Sequence, residues 1–175
     1  SNVSGMIGYV PQENPLFEKL SALDNLRFWY GKDTEALKSD LSNGLPALFK
    51  ITDYLDKRVE NMSGGMKKRL SIACSLAKHQ PILILDEPCA ALDIPGKEDI
   101  HNYLKSCGDD YRILICPDHP TPLATKTHSS DPVPYLIFDS RKSQSGVDTF
   151  TEATAGGTRN FIEHGPSIMY RLLEK

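Results

Sequence analysis

The stretch Asn61–Asp93, NMSGGMKKRLSIACSLAKHQPILILDEPCAALD, decides how this chain is read. A Ser63-Gly64-Gly65 turn opens an amphipathic helical run, and Pro81 breaks it. The bare apolar run Ile82-Leu83-Ile84-Leu85 follows and ends in adjacent acids, Asp86 and Glu87. Pro88 stops the strand, and a small-residue loop runs to Asp93. Four β-branched or leucine residues in a row predict a strand buried on both faces, as in a parallel sheet covered by helices. Ligands of such sheets bind at the carboxyl ends of the strands, where these two acids stand. A carboxylate there can hold Mg²⁺, and its neighbour can orient an attacking water. An isolated Asp-Glu pair would be no more than a solvated strand end; the flanking pattern points to a nucleoside-triphosphate site.

The turn before the helix supports that reading. Two glycines let backbone amides approach a ligand closely, and the helix that follows points its positive end at it. The plainer account is an N-cap by Ser63, with Lys67, Lys68 and Arg69 as a solvated face.

Working outward toward the N-terminus, Met6–Val10 predicts a short strand closed by Pro11, with Gln12 behind it. Ser21 with Asp24 resembles a capping box opening a short helix that ends at Gly31. Asp33 caps a second helix to about Lys50, broken near Gly44 and Pro46. Residues 51–58 form a third helical piece. Phe28, Trp29 and Tyr30 are expected in the core of this helical segment. Toward the C-terminus, a helix over 96–105 leads to strands at 111–116 and 135–139, joined by a proline-rich loop. Residues 140–160 read as irregular chain, and a short helix ends it.

Composition bounds the function. With 175 residues, 39% hydrophobic and 25% charged, the chain has the makings of one or two globular domains. A net charge of −3 speaks against a nucleic-acid partner, which needs a basic face. No run approaches the roughly 20 apolar residues of a membrane-spanning helix. The four cysteines include no CxxC pair. Cys74 and Cys116 lie among apolar residues, so buried, reduced thiols and a cytoplasmic setting are expected.

These residues resemble the ATP-binding cassette (ABC) ATPases over residues 6 to about 105. Ile7-Gly8-Tyr9-Val10-Pro11-Gln12 is similar to the family's Q-loop. Met62-Ser63-Gly64-Gly65-Met66 resembles its signature, Ile82–Pro88 its Walker B strand, and Ala91-Leu92-Asp93 its D-loop. The resemblance implies an α/β fold: a partial P-loop-NTPase-type core with a mostly parallel sheet, formed by 1–15 and 80–140. A helical subdomain, 16–79, carries the signature, and 141–175 forms a tail. It implies ATP and Mg²⁺ as ligands, with Asp86 and Gln12 on the metal and Glu87 activating water. Gln12, Ser63, Gly64, Gly65 and Asp93 would bind nucleotide. It also implies a transmembrane partner subunit, a second nucleotide-binding domain paired head to tail, and a place at the inner face of the membrane. The segments 26–30 and 65–69 are similar in style to bacterial exporter-type cassettes.

Two departures stand out. No G-x-x-x-x-G-K-[ST] phosphate loop occurs anywhere in the 175 residues. The chain therefore reads as the C-terminal portion of a nucleotide-binding domain, inactive alone. Its alternative role is a non-catalytic cassette that lends its signature in trans. The family's switch histidine has its nearest counterpart in His119, displaced by one place between Asp118 and Pro120.

Overall fold

The structure is a computed structural model that describes residues 7–78, 80–86, 92, 94–106, 111–117, 131–142, 146–147 and 149–173. The chain forms two compact units, Ser1–Ser106 and Cys107–Lys175.

In the first unit, β1 (Ile7–Val10) lies parallel to β2 (Ile82–Leu85), in the register Ile7↔Ile82 to Val10↔Leu85. Parallel neighbours need a long crossover, and here the crossover is the helical segment. Helix α1 (Ala22–Tyr30) starts at Ser21, whose Oγ accepts from the Asp24 amide at 3.1 Å. The Ser21 hydroxyl donates to the Asp24 carboxylate at 2.7 Å. The helix ends at Gly31, whose φ of +63° suits a residue without Cβ.

Helix α2 (Thr34–Asn43), capped by Asp33, gives way at Gly44 to α3 (Leu45–Leu48), with Pro46 in its first turn. The helical piece expected over 51–58 is instead two separate 3-10 turns, Ile51–Tyr54 and Val59–Asn61. Lys50, at φ +54°, turns the chain left-handed before the first, and beyond it the Leu55 and Lys57 carbonyls accept from the Leu23 and Ala22 amides instead of from a continuing helix.

Helix α4 (Gly64–Ser75) supplies the centre of the core through Leu70, Ile72, Ala73 and Cys74. Val10, Leu26, Leu45, Phe49, Ile51 and Val59 pack in the same cluster. Helix α5 (Ile94–Ser106) adds Ile100.

Three expectations need correction. Strand β2 is not buried on both faces: Ile84 is 48% exposed beside its register partner Tyr9. Among the described residues β2 pairs only with β1, and Tyr9 and Ile84 are the strand positions left exposed on the ribbon. Of the aromatic trio, Tyr30 is buried, Trp29 is half-buried, and Phe28 is 60% exposed. Successive helical positions point about 100° apart, so three in a row cannot share one face. Phe28 stacks edge-on against Phe17, with centroids 4.7 Å apart. Cys116 is exposed just past the end of a strand, unlike buried Cys74.

In the second unit, β3 (Arg112–Ile115) pairs antiparallel with β4 (Leu136–Asp139). The boundary between the units falls inside the 80–140 segment that the sequence groups together. Within the tail, Thr151 caps α6 (Glu152–Gly157), which the Ser/Thr/Gly composition had not indicated; α7 (Ile168–Leu173) follows. Asp139 is buried and accepts from Arg112 Nε at 2.8 Å and from Arg141 Nη2 at 2.9 Å. Arg112 Nη1 also donates to the Leu172 carbonyl at 2.8 Å, tying α7 to the hairpin.

Candidate functional site

The parallel register brings the ends of β1 and β2 to one place. The Asp86 amide donates to the Val10 carbonyl at 2.9 Å, so the ladder continues one step beyond Leu85. The exposed Asp86 side chain therefore stands beside the chain that leaves β1 as Pro11-Gln12. Gln12 is exposed as well. The Tyr9 hydroxyl lies 3.4 Å from Asp86 Oδ2, and desolvation first, then the Asp86 carboxylate, raise its phenol above the ordinary range.

Among the described residues no cluster of three or more His, Cys, Asp or Glu side chains could cage a metal. A lone exposed carboxylate suits Mg²⁺, which takes one or two protein oxygens and completes its shell with phosphate oxygens and water. Asp86 thus fits a cation that arrives with a polyphosphate and does not fit a zinc-type site.

Helix α4 contributes the second element. Ser63 Oγ accepts from the Met66 amide at 3.3 Å. Ser63 and Gly64 are exposed at this N-terminus, where free backbone donors and the helix dipole favour an anion. One turn further, Lys68 is 2% exposed. Its ammonium donates to the carbonyls of Pro11, at 3.1 Å, and Gln12, at 3.2 Å. Lys68 is thus no part of a solvated face. It lies in helical step with Ile72 and Ser75, both buried, and that spacing was the available signal for its inward position. Lys67 does behave as a surface cation and pairs with Glu18 at 2.9 Å.

A third element is Asn25, wholly buried on α1. Its amide accepts from the Phe17 N–H at 2.8 Å and donates to the Phe17 and Ser21 carbonyls. This anchors the far end of the segment that begins at Gln12.

The structure therefore brings Gln12 and Asp86 to one end of the ribbon and links Ser63-Gly64-Gly65 to the Gln12 loop through Lys68. Glu87, Asp93 and His119 lie outside the described residues. His101 is exposed on α5, and His164 Nδ1 meets Ser167 Oγ at 3.1 Å.

The sequence model of the family described as ABC transporter matches residues 1–90, just over half of the chain. The molybdenum import ATP-binding protein ModC of Thiobacillus denitrificans is 38% identical over 109 residues, covering 62% of this chain and 30% of that protein. ModC of Methylococcus capsulatus is 35% identical over 130 residues, covering 74% and 34%. The bicarbonate transport ATP-binding protein CmpD of Synechocystis is 37% identical over 108 residues, covering 59% and 38%. The chain spans about a third of the length of these curated relatives. A solved ATP-binding subunit of an ABC transporter matches with a TM-score of 0.53 at 24% identity, over 59% of this chain and 44% of that one. That likeness bears on the fold alone, an α/β P-loop-NTPase type. The matched residues 1–90 contain Gln12, Ser63-Gly64-Gly65 and the Asp86-Glu87 pair, and the chain belongs to the ABC transporter family, as nucleotide-binding-domain sequence.

Proposed function

We propose that this chain is part of the ATP-hydrolysing subunit of an ABC transporter. The observation that carries the reading is the convergence of Gln12 and Asp86 at one end of a parallel ribbon, with the Ser63 turn linked to the same loop. In this reading Asp86 and Gln12 would hold Mg²⁺, which would supply positive charge against that developing on the phosphates. Ser63, Gly64 and Gly65 donate to the γ-phosphate of a nucleotide held by the P-loop of a second, head-to-tail cassette. Glu87 accepts a proton from the attacking water as its oxygen bonds to the γ-phosphorus. The bond to the β–γ bridging oxygen breaks, leaving ADP and phosphate. Asp93 lies along the cassette interface, and His119 supports the γ-phosphate.

The other partner is a transmembrane subunit, which holds the chain at the inner face of the membrane. The exporter reading rests on the style of residues 26–30 and 65–69. Relatives named for molybdenum import and bicarbonate transport support uptake instead, and we take uptake as the direction.

With no phosphate-loop motif in its 175 residues, the chain alone turns over ATP only at background rate. Mixed with a P-loop-bearing cassette whose own signature is disabled, it stimulates hydrolysis. Turnover by the chain alone that disappears in Glu87→Gln would refute the first expectation. A second reading, favoured by the exposed Ser63-Gly64 turn at the head of α4, is a non-catalytic cassette acting in trans. Stimulation that survives Glu87→Gln but is lost in Ser63→Asp would select it.

A further inference from the structure

We infer that Lys68 is a positioning residue that couples the Gln12 loop to the Ser63-Gly64-Gly65 turn. The inference rests on the functional reading of those two segments given above. An ammonium withdrawn from water costs several kcal/mol unless its donors are satisfied. Here two consecutive carbonyls, those of Pro11 and Gln12, accept from it.

Those carbonyls need such a donor. The Val10 carbonyl still accepts from Asp86 in the ladder, and the next two lie past the last strand pair, where both face the buried Lys68 ammonium. Buried main-chain carbonyls without partners are costly. By accepting from one nitrogen they fix the backbone on both sides of the Pro11–Gln12 peptide, and with it the direction in which the Gln12 side chain leaves the loop.

The other end of the link is rigid. Lys68 follows Ser63 by five positions on one helix, about 7.5 Å along its axis, and the Ser63 cap holds the first turn. The exit of the loop is anchored separately by Asn25 on α1. The entry of the loop and the signature turn thus share one rigid body, α4. A displacement of Gln12 must move that turn or break the Lys68 bonds.

The test uses the 175-residue chain labelled with ¹⁵N and no nucleotide. Gln12→Ala perturbs the loop, and the amide resonances of Gly64 and Gly65 report the turn. In the otherwise unaltered chain Gln12→Ala shifts both resonances. In the Lys68→Met background, where the stem is kept and the donors are lost, the same change leaves them unmoved. Amide exchange over residues 12–16 rises about tenfold in Lys68→Met, the loss expected for hydrogen bonds from a charged donor. Lys67→Met, which removes a neighbouring surface cation, alters neither readout.

If Lys68→Met does not fold, Lys68→Gln retains a shorter donor and is expected to show reduced coupling. Undiminished Gly64 and Gly65 shifts in a folded Lys68 variant would overturn the inference, as would unchanged exchange over 12–16. No ATP enters the experiment, so its failure leaves the ATPase reading standing. Failure of the hydrolysis test likewise leaves the coupling intact.

Discussion

The Tyr30 hydroxyl donates to the Asp40 carboxylate across 2.5 Å, in a buried contact between α1 and α2. Both residues are under 10% exposed, and burial, then the Asp40 hydrogen bond, push the Tyr30 phenol far above its usual range. Removing the hydroxyl takes a donor from a buried carboxylate. Tyr30→Phe is therefore expected to destabilise the first unit by about 2 kcal/mol. A denaturant titration followed by fluorescence of Trp29, the chain's single tryptophan, checks it, and a change below a few tenths would contradict it.

Gly44 meets the same carboxylate from the other side. A Cβ added there would come within 2.5 Å of Asp40 Oδ1 and 2.7 Å of Asp40 Cβ. Asp40 cannot rotate away without leaving Tyr30, and its own Cβ is fixed to the helix. Gly44→Ala is expected to cost about 1–3 kcal/mol, the range for overpacking. Because the two changes act on one side chain, Gly44→Ala combined with Tyr30→Phe should cost less than the sum of the singles, a non-additivity of at least about 0.5 kcal/mol. Strict additivity in the double-mutant cycle would argue against a shared cause.

Ser63 serves the helix and, in the proposed mechanism, the phosphate. Ser63→Ala should lower stability by about 1 kcal/mol through loss of the cap. Ser63→Asp keeps an N-cap acceptor and should retain the stability of the parent chain. Its carboxylate would repel a γ-phosphate, however, so stimulation of a P-loop-bearing partner should be lost in both variants. Recovery of that stimulation by Ser63→Asp would confine the residue to capping.

In the second unit the Arg141 guanidinium, and after it Arg112, hold the Asp139 carboxyl well below the usual carboxylate range. A carboxyl with a depressed folded value stabilises the fold above its unfolded pKa of about 3.9, and the contribution is lost as the pH falls through and below that value. The stability of this unit should be level above about pH 5 and decline below about pH 4. Tyr111 and Tyr135, beside the β3–β4 hairpin, provide the NMR probes. In Asp139→Asn the unit should be weaker at neutral pH, with a flatter acid slope. An unaltered slope would mean that another carboxyl carries it.

Local chemistry was legible residue by residue. Ser21, Asp33 and Ser63 begin helices where their side chains can accept from the first-turn amides, as their types predict. Gly31 ends α1, the Gly44-Pro46 pair separates α2 from α3, and β2 runs over the four apolar residues before Asp86. Each of these is decided within a few bonds, by a cap, a ring or an alternation. Burial was less legible. Nothing within Ile82–Leu85 says how many strands flank it, and Ile84 proved half exposed. The α4 period set Lys68 on the buried side, but its partners stand 56 and 57 residues away in sequence. The sequence by itself determined the helix starts at Ser21, Asp33 and Ser63 and the breaks at Gly31 and Gly44-Pro46, and placed an acid at a strand terminus, but it did not show the 3-10 turns after Lys50 or helix α6. Only the tertiary structure decided that the loop behind β1 is tied to the helix behind Ser63, because the ammonium and the carbonyls meet only once the chain between them has folded back.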